Sequence, residues 1–192
     1  DNKTITQLDL VIKEIQKGKG TNAMAIETAG RLGTATSVDA LIAALSTDYK
    51  AEATAALLAF NGNINERVTT ALKTATGDLQ LALLDIANTR RIKSASPQVF
   101  ELINSSDATV AAAALKALPG VVTKDNATQL AGMMDKASGE KAAIYQQAFT
   151  ASIKGMNSEE QYKVISSEIQ KASNKARFYP ALAATNTDQS VA

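Results

Sequence analysis

The chain has 192 residues, 45% of them hydrophobic and only 4% aromatic, enough for one sizeable domain or a run of stacked small units and too apolar for a disordered segment. Twenty basic and nineteen acidic residues leave a net charge of +1, without the basic excess by which proteins hold nucleic acid or an anionic membrane surface. Cysteine and histidine are both absent, which removes thiol chemistry, disulfides, histidine-based triads and every His/Cys zinc site.

No apolar run approaches the ~20 residues that span a bilayer. Few aromatics with abundant Ala, Leu, Thr and Lys suit close-packed helices better than strands. From the N-terminus onward, apolar residues recur as i, i+4 pairs, the spacing that sets two side chains on one helical face. Leu8/Ile12 is the first pair. The loose linker KGKGTN (17–22) follows, and its GKG lacks the strand–loop–helix context and Lys-Ser/Thr ending of a phosphate cradle. In SVDALIAALS (37–46), Leu41/Leu45 is the second pair and Ser37 reads as the N-cap. YKAEATAALLAFNG (49–62) then gives a helix that is apolar all round, so its register is ambiguous.

Val68/Leu72 opens the third unit, whose second helix carries Leu79, Ala82, Leu83, Ile86 and Ala87 on one face. NTRRIKS (88–94) gathers Arg90, Arg91 and Lys93, either as a contact for an anion or acidic partner or as cations complementing a helix C-terminus. Pro97 stands near the start of the helix bearing Val99/Ile103. After the turn NSSD, the stretch DATVAAAALKALPG (107–120) places Val110, Ala113, Ala114, Ala117 and Leu118 together, with Pro119 at its end. Leu130/Met134 precedes a helix bearing Ile144, Tyr145, Ala148 and Phe149. SEEQ (158–161) places Glu159 and Glu160 in the first turn of the helix of Ile165/Ile169, where acidic side chains suit the dipole and adjacent residues do not converge on a cleft. Pro180 is expected to kink or shorten the last helix.

Successive pairs begin 33, 27, 31, 31 and 35 residues apart, so a helix–turn–helix unit recurs about every thirty residues. Gly62, Gly120 and Gly155 are expected to close second helices as C-terminal stops. In a stack of such units each second helix touches several neighbours, and a turn of alanine lets backbones approach while favouring the helix. VAAAALKAL therefore reads as packing. Met24, Met133, Met134 and Met156 are scattered gap-fillers.

The pattern in LGTATSVDALIAAL (32–45) and DATVAAAALKAL (107–118) resembles HEAT repeats of the short bacterial kind, similar to those of phycobilisome lyases. The resemblance covers nearly the whole chain, most clearly 32–154, and no residue matches what would make a lyase. The Thr-Pro-Leu-His motif of ankyrin arrays and the Trp/Gly/Tyr/Pro pattern of tetratricopeptide arrays are both missing. The resemblance implies an all-α, right-handed α-solenoid of about six HEAT-like helical pairs over residues 1–186. Residues 187–192 are then the truncated start of a further repeat, with Asp188 as its cap and Val191 opening its apolar face, as in a fragment of a longer protein.

The resemblance also implies a concave surface lined by second helices. Its non-core positions would be Gln80, Leu81, Leu84, Asp85 and Asn88, then Ala112, Leu115 and Lys116, then Gln146, Gln147 and Thr150. Leu84 and Leu115 are either ligand contacts or buried between neighbouring helices. The expected function is a non-catalytic scaffold whose partner is another protein or another domain of the same chain, with no cofactor, metal, nucleic acid or membrane insertion. The alternative is an accessory module of an exported bacterial enzyme, and the absence of Cys leans towards export. An enzyme within these residues would need carboxylates converging in an enclosed pocket.

Overall fold

The structure, a computed structural model, describes residues 10, 12–14 and 23–185. Leu8, the 17–22 linker and the 186–192 segment lie outside the described residues. Among the described residues every regular element is helical and there is no strand. The α-helices are α1 (Ala23–Leu32), α2 (Ala35–Ala44), α3 (Lys50–Ala59), α4 (Asn65–Thr74), α5 (Gly77–Thr89) and α6 (Ser96–Leu102). They continue with α7 (Ala108–Val121), α8 (Ala127–Lys136), α9 (Gly139–Ile153), α10 (Ser158–Lys171) and α11 (Tyr179–Ala183). Short 3-10 turns at Lys93–Ala95, Lys124–Asn126 and Lys175–Phe178 lead into α6, α8 and α11.

Local chemistry fixes many of the helix starts. Asp107 Oδ1 accepts from the N–H of Thr109 (2.8 Å) and of Val110 (3.2 Å), satisfying two donors that have no partner within α7. Asn157 and Glu160 form a reciprocal capping box at α10, so Glu160 closes a helix end there. The cap of α2 is Thr34, whose Oγ1 accepts from Ser37 N at 3.1 Å, and not Ser37, which lies buried inside the helix. Pro97 and Pro180 both sit in the first turn of a helix, so Pro180 starts α11 where the reading of the sequence had it interrupt one. Pro119 falls within the last turn of α7.

The five described i, i+4 pairs fall on alternate helices, α2, α4, α6, α8 and α10. Leu41, Leu45, Val68, Leu72, Val99, Leu130, Met134 and Ile165 are all buried, while Ile103 and Ile169 are half-buried. Helices α2, α4, α6 and α8 each pack on the helix that follows, and the helices between them pack on one another two along: α1 on α3, α3 on α5, α5 on α7, α7 on α9. One apolar core runs through the stack from Ile12 to Ala181. Helix α7 touches α5, α6 and α9 together, and its alanines grade accordingly: Ala112 is exposed, Ala111 and Ala113 are half-buried, and Ala114 is buried.

Gly155 lies just past the end of α9, where a C-terminal stop is expected, while the other two glycines do different work. Gly120 lies inside α7 at a close approach to α5: a Cβ there would come within 2.8 Å of Asn88 Cα and still closer to Asn88 Oδ1 and its carbonyl oxygen. Gly62 lies beyond the end of α3, and Gly62, Gly120 and Gly155 all have ordinary φ; the left-handed glycine that follows a helix is Gly33, at φ +67°.

Candidate functional site

Helices α5, α7 and α9 lie side by side, and the residues expected to line a polar strip on them differ in exposure. Asp85, Lys116 and Gln147, spaced 31 residues apart, are each exposed at matching positions of the three helices, and Thr150 is exposed one turn beyond Gln147. Among the described residues no ion pair ties Asp85 or Lys116 to a neighbour. Gln80, Asn88, Gln146, Leu81 and Leu115 are half-buried, and Ala112 is exposed. Leu84 is 1% exposed and belongs to the core. Its assignment to the partner face is corrected on that ground, because α5 is enclosed on more of its circumference than the amphipathic pattern indicates. Asn88 faces α7 at the Gly120 approach.

The NTRRIKS segment is a clamp between units. Arg90 ends α5 and reaches back, donating from Nη1 to the carbonyls of Leu58 (2.9 Å), Phe60 (2.6 Å) and Leu57 (3.3 Å) and from Nη2 to Gly62 (3.1 Å). These carbonyls belong to the frayed end of α3 and the loop after it, where backbone acceptors lack helical partners. Lys93 reaches the other way, its Nζ donating to the carbonyls of Gly120 (2.9 Å) and Val122 (2.8 Å) at the end of α7. Burial, and then the neighbouring Arg91 charge, hold the Lys93 ammonium pKa below its usual value. Between them Arg91 is left-handed at φ +54°, and Ile92 N donates to Ala87 O at 2.8 Å across the reversal. The cations thus satisfy helix C-termini, in neighbouring units instead of their own.

The same device recurs near the C-terminal end. Arg177 Nη1 donates to the carbonyls of Met134 and Asp135 at the end of α8. The Asp135 carboxylate accepts from the N–H of Asn174 (2.7 Å) and Ser173 (3.0 Å), and these bonds, Asn174 first, hold its pKa below the ordinary carboxylate value. Glu168, 7% exposed, accepts from Lys171 Nζ (2.9 Å) and Thr128 Oγ1 (3.2 Å) and so ties α10 to α8. Burial raises the Tyr145 phenol above its usual range. Sequence reasoning missed Glu168, Asp135 and Arg177 because each acts across about forty residues, beyond any helical period.

Two of the grooves among the described residues exceed 600 Å³. One, of about 700 Å³, runs between α1 and α3 past Met24, Glu27, Arg31, Ala55 and Asn61. The other, of about 630 Å³, lies beside the α7–α8 loop, with Val122, Ala151, Met156 and Val164 beneath Lys124 and Lys163. Among the described residues no group of three or more Asp or Glu could hold a metal ion, and no helix is long and apolar enough to cross a membrane. Comparison with protein-family models finds no match to this chain, and comparison with characterised proteins finds none either.

Proposed function

We propose that the chain is a right-handed HEAT-like α-solenoid of about six helical pairs that acts as a non-catalytic scaffold, holding another protein or another domain of the same chain. The observation that carries the reading is the register of Asp85, Lys116 and Gln147, repeated every 31 residues on three helices packed side by side. A repeated outward position of this kind makes an extended surface, and the nearest-neighbour packing of the helices is that of a quasi-one-dimensional array. Gln80, Asn88 and Gln146 edge the strip, and Thr150 extends it. Its mixture of one anion, one cation and neutral amides fits a polar protein surface better than a polyanion.

The test is site-specific photo-cross-linking in extracts of the source cell. A photoreactive side chain at Gln147 should label one dominant partner, and the same group at Glu101, exposed on α6, should not. Combining Asp85→Lys with Lys116→Glu should abolish the labelling from 147. Equal labelling from both positions, or labelling indifferent to the charge reversal, would overturn the assignment.

A further inference from the structure

The five-residue loop 60–64 joins α3 to α4 and carries the sequence Phe-Asn-Gly-Asn-Ile. Asn61 is exposed on the rim of the α1–α3 groove, and its side-chain amide makes no hydrogen bond among the described residues. The Gly62 N–H is likewise without a partner. Glycine at position 62 leaves room for the Phe60 ring, which a Cβ there would approach to 2.8 Å and have to displace. A main-chain nitrogen followed by no side chain is the least hindered nucleophile that a polypeptide can set beside an asparagine amide. Asn63, in the same loop, is placed differently. Its Oδ1 accepts from Asn65 N at 2.9 Å, and the residue after it is the buried, β-branched Ile64.

We infer that Asn61 is a self-modification site, converting through a cyclic imide to aspartate and isoaspartate at a rate set by the Arg90 clamp. The Gly62 nitrogen attacks Asn61 Cγ, the new N–Cγ bond forms, and the Cγ–Nδ2 bond breaks. Ammonia leaves, carrying the proton that Gly62 N gives up. Water then opens the five-membered ring. Opening at Cγ gives aspartate, and opening at the main-chain carbonyl gives isoaspartate, with one extra methylene in the backbone. No oxidant or reductant is required.

Arg90 governs the rate because it holds both carbonyls that flank the reacting bond, Phe60 O at 2.6 Å and Gly62 O at 3.1 Å. Ring closure needs rotation about the Asn61 backbone, and a backbone pinned on either side resists it. Once isoaspartate has formed, the added methylene falls between the two gripped carbonyls, so they no longer meet one guanidinium. The product therefore loosens the clamp that delayed it, and leaves a new carboxylate on the groove rim beside Glu27 and Glu52.

The experiment incubates the purified chain at mildly alkaline pH and follows each asparagine by peptide mass spectrometry with fragmentation that separates aspartate from isoaspartate. Asn61 should convert several-fold faster than Asn104 and Asn157, both exposed and followed by Ser, and Asn61→Gln should remove that signal. Arg90→Lys, which keeps the charge but not the fork, should quicken conversion several-fold, towards the rate of a free peptide spanning 57–66. Conversion of Asn61 no faster than of Asn104 would overturn the site. A rate unchanged in Arg90→Lys and equal to that of the free peptide would overturn the control by the clamp.

Discussion

Replacing Arg90 by Ala removes four hydrogen bonds with one side chain, and their geometry bounds the cost. A hydrogen bond to a charged group contributes about 1.5–3 kcal/mol net. The bonds to Phe60 and Leu58, at 2.6 and 2.9 Å, are short and charge-assisted, the one to Gly62 is ordinary, and the one to Leu57 is long. Leu57 O keeps an acceptance from Phe60 N at 3.4 Å, so it is not orphaned. Water can reach part of the half-buried loop, so two of the four bonds, about 3–6 kcal/mol together, bound the expected loss. Arg90→Lys, with one nitrogen in place of a fork, should lose about half of that. Because the acceptors are carbonyls and not carboxylates, the loss should depend little on salt. Urea unfolding gives the total, and native-state hydrogen exchange gives its place. Amides of α3 and α4 should exchange faster, while those of α8 and α9 keep their protection, as nearest-neighbour coupling requires. A change of stability within about 0.5 kcal/mol, or a uniform rise in exchange along the whole chain, would refute the reasoning.

Three other perturbations separate packing from surface. Gly120→Ala should cost about 1–3 kcal/mol, since its Cβ meets Asn88 backbone, whereas Gly132→Ala, mid-helix in α8 with no heavy atom within 4 Å of the new Cβ, should gain about 0.5–1 kcal/mol; urea midpoints decide both. Leu84→Ala should cost about 2–5 kcal/mol, as for a core leucine, and Gln147→Ala should stay within about 0.5 kcal/mol while weakening partner capture. Asp135 has a folded pKa below its unfolded value of 3.8, so its contribution is present above that pH and is lost as pH falls through the folded value. Asp135→Asn should therefore be less stable than the parent at neutral pH, and the difference should shrink on acidification below about pH 4, followed by thermal melts across that range.

Most of the fold was legible because it is local. The pairs Leu41/Leu45, Val68/Leu72 and Leu130/Met134 announce their helices through a spacing of four, and burial at those positions is what that spacing encodes. The alanines of α7 were legible for the same reason: a helix touched by three others needs small residues on several sides. Caps were harder, since a Ser and a Thr three residues apart are equivalent on paper, and Thr34, not Ser37, has the extended backbone that an N-cap requires. Leu84 was ambiguous because α5 turns nearly all round against neighbours that a single helical wheel does not contain. The cations of the NTRRIKS clamp could be read as serving a helix C-terminus, but their acceptors in neighbouring units could not. Nothing within thirty residues of Arg90 marks Phe60 O as its acceptor, and the left-handed Arg91 occupies a conformation that the sequence gives no reason to expect of arginine.

That left-handed residue also bears on how the protein carries force. Because the chain reverses at Arg91, one short loop holds the end of α3 through Arg90 and the end of α7 through Lys93, and three successive units are laced together by a single strand of backbone. Drawn out between two handles, the array should shed its end units at low tension, while the laced middle yields last and in one step. A glutamate at either cation would cut the lacing, and the middle would then come apart as gradually as the ends.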